Sequence, residues 1–99
     1  MLREDHCAYV TGPNPFTGGT RIDYTLGSKS RVLLTVHDVR GARVVTLAQS
    51  IVSSGPHSIV WNGMHSDGEG ASAGVYFVRL EVEGGAESGT RVLKIVKSR

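Results

Sequence analysis

The run Gly74-Val75-Tyr76-Phe77-Val78-Arg79-Leu80-Glu81-Val82 constrains this chain more than any other stretch. It concentrates β-branched and aromatic residues and holds no proline, so an extended, paired backbone suits it better than a helix. Read at a period of two, Tyr76, Val78, Leu80 and Val82 share one wholly apolar face. Val75, Phe77, Arg79 and Glu81 share the other, which is apolar at its start and charged at its end. That pattern predicts a central strand, covered on both sides over its first half. Every other apolar run is short and reads as its neighbour.

Those neighbours follow in order. A short first strand is expected over 8–11. The segment 12–19 holds Pro13, Pro15, Gly12, Gly18 and Gly19, which rule out a helix, and Phe16 is the residue expected to pin it to the core. The next run, 20–26, alternates with Ile22, Tyr24 and Leu26 inward, and 31–38 does the same with Val32, Leu34 and Val36. Asp38-Val39-Arg40-Gly41 is a turn in which Asp38 bonds its own backbone. Strands are further expected over 43–47, 57–61 and 90–96, with 49–55 a connection and 62–73 the longest irregular piece. The segment 83–87 closes a hairpin, its paired glycines Gly84 and Gly85 being free to take positive φ.

Seven strands at intervals of about ten residues, with no helical periodicity, predict an all-β, Ig-like or fibronectin-III-like sandwich of about seven antiparallel strands. Glycine is frequent, at 13 of 99 residues, which suits turn-rich β structure. Residues 1–7 are expected to be a linker remnant from a longer chain, and residues 8–99 the sandwich.

Charge excludes one class of partner. Eleven basic and nine acidic residues leave a net charge of +2, scattered along the chain. Nucleic-acid binding needs a clustered basic face, so it is not expected. No apolar run approaches the ~20 residues of a membrane span. The single cysteine, Cys7, rules out an internal disulfide.

Catalytic chemistry is not expected either. His6, His37, His57 and His65 stand at no zinc-ligand spacing with each other or with Cys7. His37 and His57 belong on outward faces or at strand ends. There is no Gly-x-Ser-x-Gly nucleophile turn and no phosphate-binding glycine loop. Asn62, Asp67 and Glu69 offer oxygens of the kind calcium takes, but the twelve-residue ligand loop is missing, and turn chemistry explains them. No catalytic residue, cofactor or metal ligand is therefore expected. Tyr9 alone makes no glycan platform.

The motifs also occur in a familiar order. Pro13-Asn14-Pro15-Phe16 opens the domain, followed by Ile22-x-Tyr24-x-Leu26 and Val32-x-Leu34-x-Val36-x-Asp38-x-x-Gly41. Then come Gly55-x-His57-x-x-x-Trp61-Asn62-Gly63, Asp67-x-x-Gly70, Ala73-Gly74-Val75-Tyr76-Phe77-x-Arg79-Leu80 and a closing Lys94. Over residues 9–97 this resembles the C-terminal sorting domain of type IX secretion substrates, and equally the Ig-like domain of the flagellar hook-capping protein. The resemblance implies a non-enzymatic domain of an exported bacterial protein, secreted or held at the cell surface. Its partner would be the secretion and attachment machinery or another protein chain. Recognition would fall on the last two strands, with Gly74, Tyr76, Arg79, Leu80, Lys94 and Val96 as the candidate residues. Two alternatives stand beside it: a binding or self-assembly module that pairs through an exposed edge strand, and an accessory glycan-binding domain beside a hydrolase.

Overall fold

A computed structural model describes residues 7–84 and 88–99, with the backbone alone at Cys7. Expectations for residues 1–6 and for Gly85 lie outside the described residues. Seven strands follow in order: β1 (Cys7–Gly12), β2 (Thr20–Leu26), β3 (Ser30–Asp38), β4 (Arg43–Val52), β5 (Gly55–Trp61), β6 (Gly74–Glu83) and β7 (Gly89–Lys97). They form a three-stranded sheet, β1-β2-β5, and a four-stranded sheet, β4-β3-β6-β7. Every neighbouring pair is antiparallel. No helix occurs among the described residues. The sandwich is thus Ig-like, and β6 is an interior strand of the larger sheet, as the run 74–82 predicts.

Alternation sets the core. Ile22, Tyr24 and Leu26 from β2 face Val32, Leu34 and Val36 from β3 and Tyr76, Val78, Leu80 and Val82 from β6, all buried. Ile22, Val32, Leu34 and Val36 are 0% exposed, so each contributes roughly 1.5–3 kcal/mol of apolar burial. Phe16, Trp61 and Ile95 complete the packed layer.

Two expectations are corrected. The segment 49–55 is not a connection: β4 runs on to Val52, which pairs with Ser30, while Ile51 pairs with Arg31 and Gln49 with Leu33. As an edge strand β4 has one bare flank and an open outer face, so its far half carries polar residues that read as loop. The outer face of β6 is also not covered by a second layer. Val75 and Phe77 are half-buried there, and Phe77 lies between His37 of β3 and Lys94 of β7. Both histidines on strands are held locally. His37 sets Nε2 at 2.9 Å from the Thr35 hydroxyl. His57 stacks on Tyr24 with ring centroids 5.2 Å apart and donates from Nε2 to the Ser53 carbonyl at 2.8 Å.

Candidate functional site

The closing strand β7 is held on both flanks over its last residues. On one side it pairs with β6 from Val82↔Gly89 to Gly74↔Lys97. On the other lies the proline-rich segment between β1 and β2. The Val96 N–H donates to Asn14 Oδ1 at 2.9 Å, and the Phe16 N–H donates to the Val96 carbonyl at 3.0 Å. The Ser98 N–H then donates to the Phe16 carbonyl at 2.7 Å, which makes a parallel bridge between Phe16 and Lys97. Pro13 and Pro15 have no N–H to offer a ladder, so Asn14 supplies a side-chain acceptor and Phe16 the first backbone donor.

Phe16 also carries this strap into the core. Its ring is 2% exposed and meets Trp61 edge-on, with centroids 5.5 Å apart, and Trp61 meets Tyr76 the same way at 5.2 Å. Such edge contacts add to burial because the positive ring edge faces the negative ring face. The polar atoms of the trio are satisfied: Trp61 Nε1 donates to the Met64 carbonyl at 2.9 Å, and the Tyr76 hydroxyl to the Ser72 carbonyl at 2.7 Å. Gly63 sits against the same cluster at φ +79, where an added Cβ would stand 2.9 Å from Lys97 Cε and 3.5 Å from Phe16 Cε2.

The loop 62–73 folds on itself. Met64 and Gly70 form a bridge, the Met64 N–H donates to Asn62 Oδ1 at 3.0 Å, and the Glu69 N–H donates to Asp67 Oδ1 at 3.0 Å. These are Asx turns, in which one side-chain oxygen each of Asn62 and Asp67 is engaged by the backbone. Among the described residues no three His, Cys, Asp or Glu side chains converge as a metal cluster.

The six candidate residues do not share one environment. Tyr76, 6% exposed, and Leu80, 1% exposed, are core residues whose side chains no partner can touch. Val96 is half-buried and its backbone is engaged by the strap. Gly74 is exposed at the start of β6, opposite Lys97. Arg79 and Lys94 are exposed on the outer face, where Arg79 pairs with Val92 and Lys94 with Phe77. Arg79 Nε lies 3.7 Å from Glu81 Oε2. The residues brought together there are therefore Phe77, Arg79, Val92 and Lys94, beside His37 and Val39. Phe77 and Val92 were not among the candidates, because alternation alone does not tell an open outer face from a covered one.

Charge is unevenly spread along the sequence of the last strand. Strand β7 carries Arg91, Lys94 and Lys97 and no acidic residue. Among the described residues the ion pairs are Arg21–Asp23, Arg40–Asp38 and Arg79–Glu81, so these three cations have no acidic partner there. Elsewhere carboxylates are well served. Asp23 is held below the usual carboxylate range by hydrogen bonds from Arg21 first, then Thr11 and Ser58. Burial pushes Asp38 up, but the Ala42 and Arg40 N–H groups and the Arg40 side chain outweigh it, and its pKa is lowered.

Two antiparallel sheets packed face to face define a small Ig-like β-sandwich module. The FlgD Ig-like domain family matches residues 12–86, and the chain belongs to that family. No curated protein matches the sequence. Among solved structures, latent PorU from Porphyromonas gingivalis aligns with a TM-score of 0.72 at 20% identity, covering 93% of this chain and 9% of that one. FlgD from P. aeruginosa aligns at 0.66 and 15% identity, covering 96% and 78%. PorZ, a surface component of the type IX secretion system of P. gingivalis, aligns at 0.58 and 22% identity, covering 93% and 11%. The chain thus spans about a tenth of the length of PorU and PorZ.

Proposed function

We propose that this chain is a non-catalytic terminal domain of an exported bacterial protein, recognised by the machinery that secretes and attaches it. The observation that supports this most is a shared fold: a domain of this architecture forms part of PorZ, itself a surface component of a type IX secretion system. The motif order from Pro13 to Lys94 points the same way. Recognition falls on the exposed outer face of β6 and β7, through Arg79, Lys94 and the apolar Phe77 and Val92 between them.

Two variants of the carrier protein test the role. Deleting Leu93 to Arg99 is expected to leave it unsecreted. Ile95 is fully buried, so that deletion also damages the fold. The double substitution Arg79→Glu with Lys94→Glu is confined to exposed side chains and keeps the core. Reduced export of the folded double variant supports the role; normal export of both variants overturns it.

A second reading, assembly with other protein chains, is supported by membership in the FlgD Ig-like family. It predicts concentration-dependent oligomers. A strictly monomeric species by light scattering argues against it.

A further inference from the structure

The strap formed by Asn14 and Phe16 fills only the end of the β7 edge. In an antiparallel pair, residues whose N–H and C=O groups face the partner alternate with residues whose groups face away. Val96 turns both groups toward the strap, so its alternates Lys94, Val92 and Thr90 also turn theirs away from β6. None of these three has a partner for those groups among the described residues. Among the described residues the result is an open ladder of three donors and three acceptors, ending where the strap begins.

The other sheet edges are blunted. On β4 the pairing with β3 is broken by two register shifts, and the Val44 carbonyl is taken by the Ser66 N–H at 3.2 Å. On β5, Pro56 lacks a donor. On β1 the register shifts between Val10 and Gly12. Bulges, prolines and charged side chains are the ordinary protections of an edge. Over Gly89–Lys94 β7 has no bulge or proline, and its charges, Arg91 and Lys94, turn away basic strands but not acidic ones.

We infer that the edge of β7 over Gly89–Lys94 is a docking site for an extended acidic segment of a partner protein, which adds as a fifth strand to the larger sheet. The inference rests on the sorting role proposed above and gives that recognition a geometry. Strand addition places partner side chains about 5 Å from those of β7. Acidic residues would then stand across from Lys94 and Arg91, two cations on opposite faces with no acidic partner among the described residues, and an apolar residue across from Val92, which is 55% exposed. A basic segment would meet like charges and be rejected.

Amide exchange and titration by NMR read this directly on the purified chain. The probes are two acetylated octapeptides, one repeating Glu-Thr-Val-Glu (the Glu–Val peptide) and one repeating Lys-Thr-Val-Lys (the Lys–Val peptide), a spacing that sets charges across from Lys94 and Arg91 and valine across from Val92. The amides of Thr90, Val92 and Lys94 are expected to exchange fast in the free chain and to slow with the Glu–Val peptide. The Lys–Val peptide is expected to bind about tenfold more weakly or worse. Val92→Pro removes one outward donor without touching the β6–β7 ladder and is expected to abolish the protection. Lys94→Glu is expected to reverse the peptide preference, and it serves alone should the proline variant not fold. Protected amides in the free chain, equal affinity for both peptides, or protection on β4 or β5 instead would each overturn the inference, as would self-association without peptide. Export separates this inference from the role beneath it. If the carrier protein with Val92→Pro is exported normally while the Arg79→Glu, Lys94→Glu variant is not, strand docking fails and the sorting role stands.

Discussion

Asn14 and Val96, 82 positions apart, are joined by a 2.9 Å hydrogen bond from the Val96 N–H to the Asn14 side-chain oxygen. The bond ties the first loop of the domain to its last strand. Without it the Val96 donor would face only water or a partner. Asn14→Ala is expected to destabilise the domain by about 1 kcal/mol. That corresponds to a fall of roughly 4–8 °C in the unfolding midpoint for a domain of this size. Faster exchange of the Val96 amide should accompany it, and unchanged exchange there would show that the bond does not form in solution.

Phe16 holds the same strap from inside. Its ring fills space between Trp61 and the last strand, and truncation leaves a cavity that the rigid sheets cannot close. Phe16→Ala is expected to cost about 3–5 kcal/mol, against less for Phe16→Leu. Trp61 is the sole tryptophan and lies in contact with the ring, so its fluorescence reports the change during denaturant unfolding.

Gly63 shows how a backbone conformation and a close approach combine. A side chain there meets a left-handed φ of +79 and the Lys97 stem at 2.9 Å. Gly63→Ala is expected to cost roughly 1–2 kcal/mol for the backbone alone. Adding Lys97→Ala should recover only the part that arises from contact. Full recovery in the double variant, measured by chemical denaturation, would show that the backbone carries no strain.

Acid sensitivity follows from Asp23. Its pKa is lowered on folding, chiefly by the Arg21 hydrogen bond, and its side chain is 16% exposed. A lowered carboxylate stabilises the fold above its unfolded pKa of about 3.9. That stabilisation is lost as the pH falls below this value toward the folded pKa. Thermal midpoints are therefore expected to drop between about pH 4 and pH 2, and Asp23→Asn should flatten that dependence. An unaltered slope in the variant would place the acid sensitivity elsewhere.

Much of the fold is legible in residue order. Alternation in 20–26, 31–38 and 74–82 marks the residues that become core, because a strand side chain has only two directions to take. Phe16 stood out as an anchor because a large apolar residue among prolines and glycines has little other use. The outer half of β4 was not legible. An edge strand with an open face has no hydrophobic alternation to betray it.

The candidate surface was legible only in part. Tyr76 and Leu80 belong to the same run as Arg79, yet they point into the sandwich and Arg79 out of it. Phe77 and Val92 enter the surface because two strands lie side by side in one register. That register depends on which strands share a sheet.

The chain's own order of residues thus determined that it would form strands, where most of them lie, and which side chains turn inward. Those properties follow from the two-residue period of an extended backbone and the drive to remove apolar groups from water. Tertiary structure alone decided the division into sheets of three and four strands, the clasp of Asn14 on Val96, and the bare cationic stretch of β7 beside it. These depend on hydrogen-bonding groups of distant segments meeting, and no local pattern of side chains encodes which will meet.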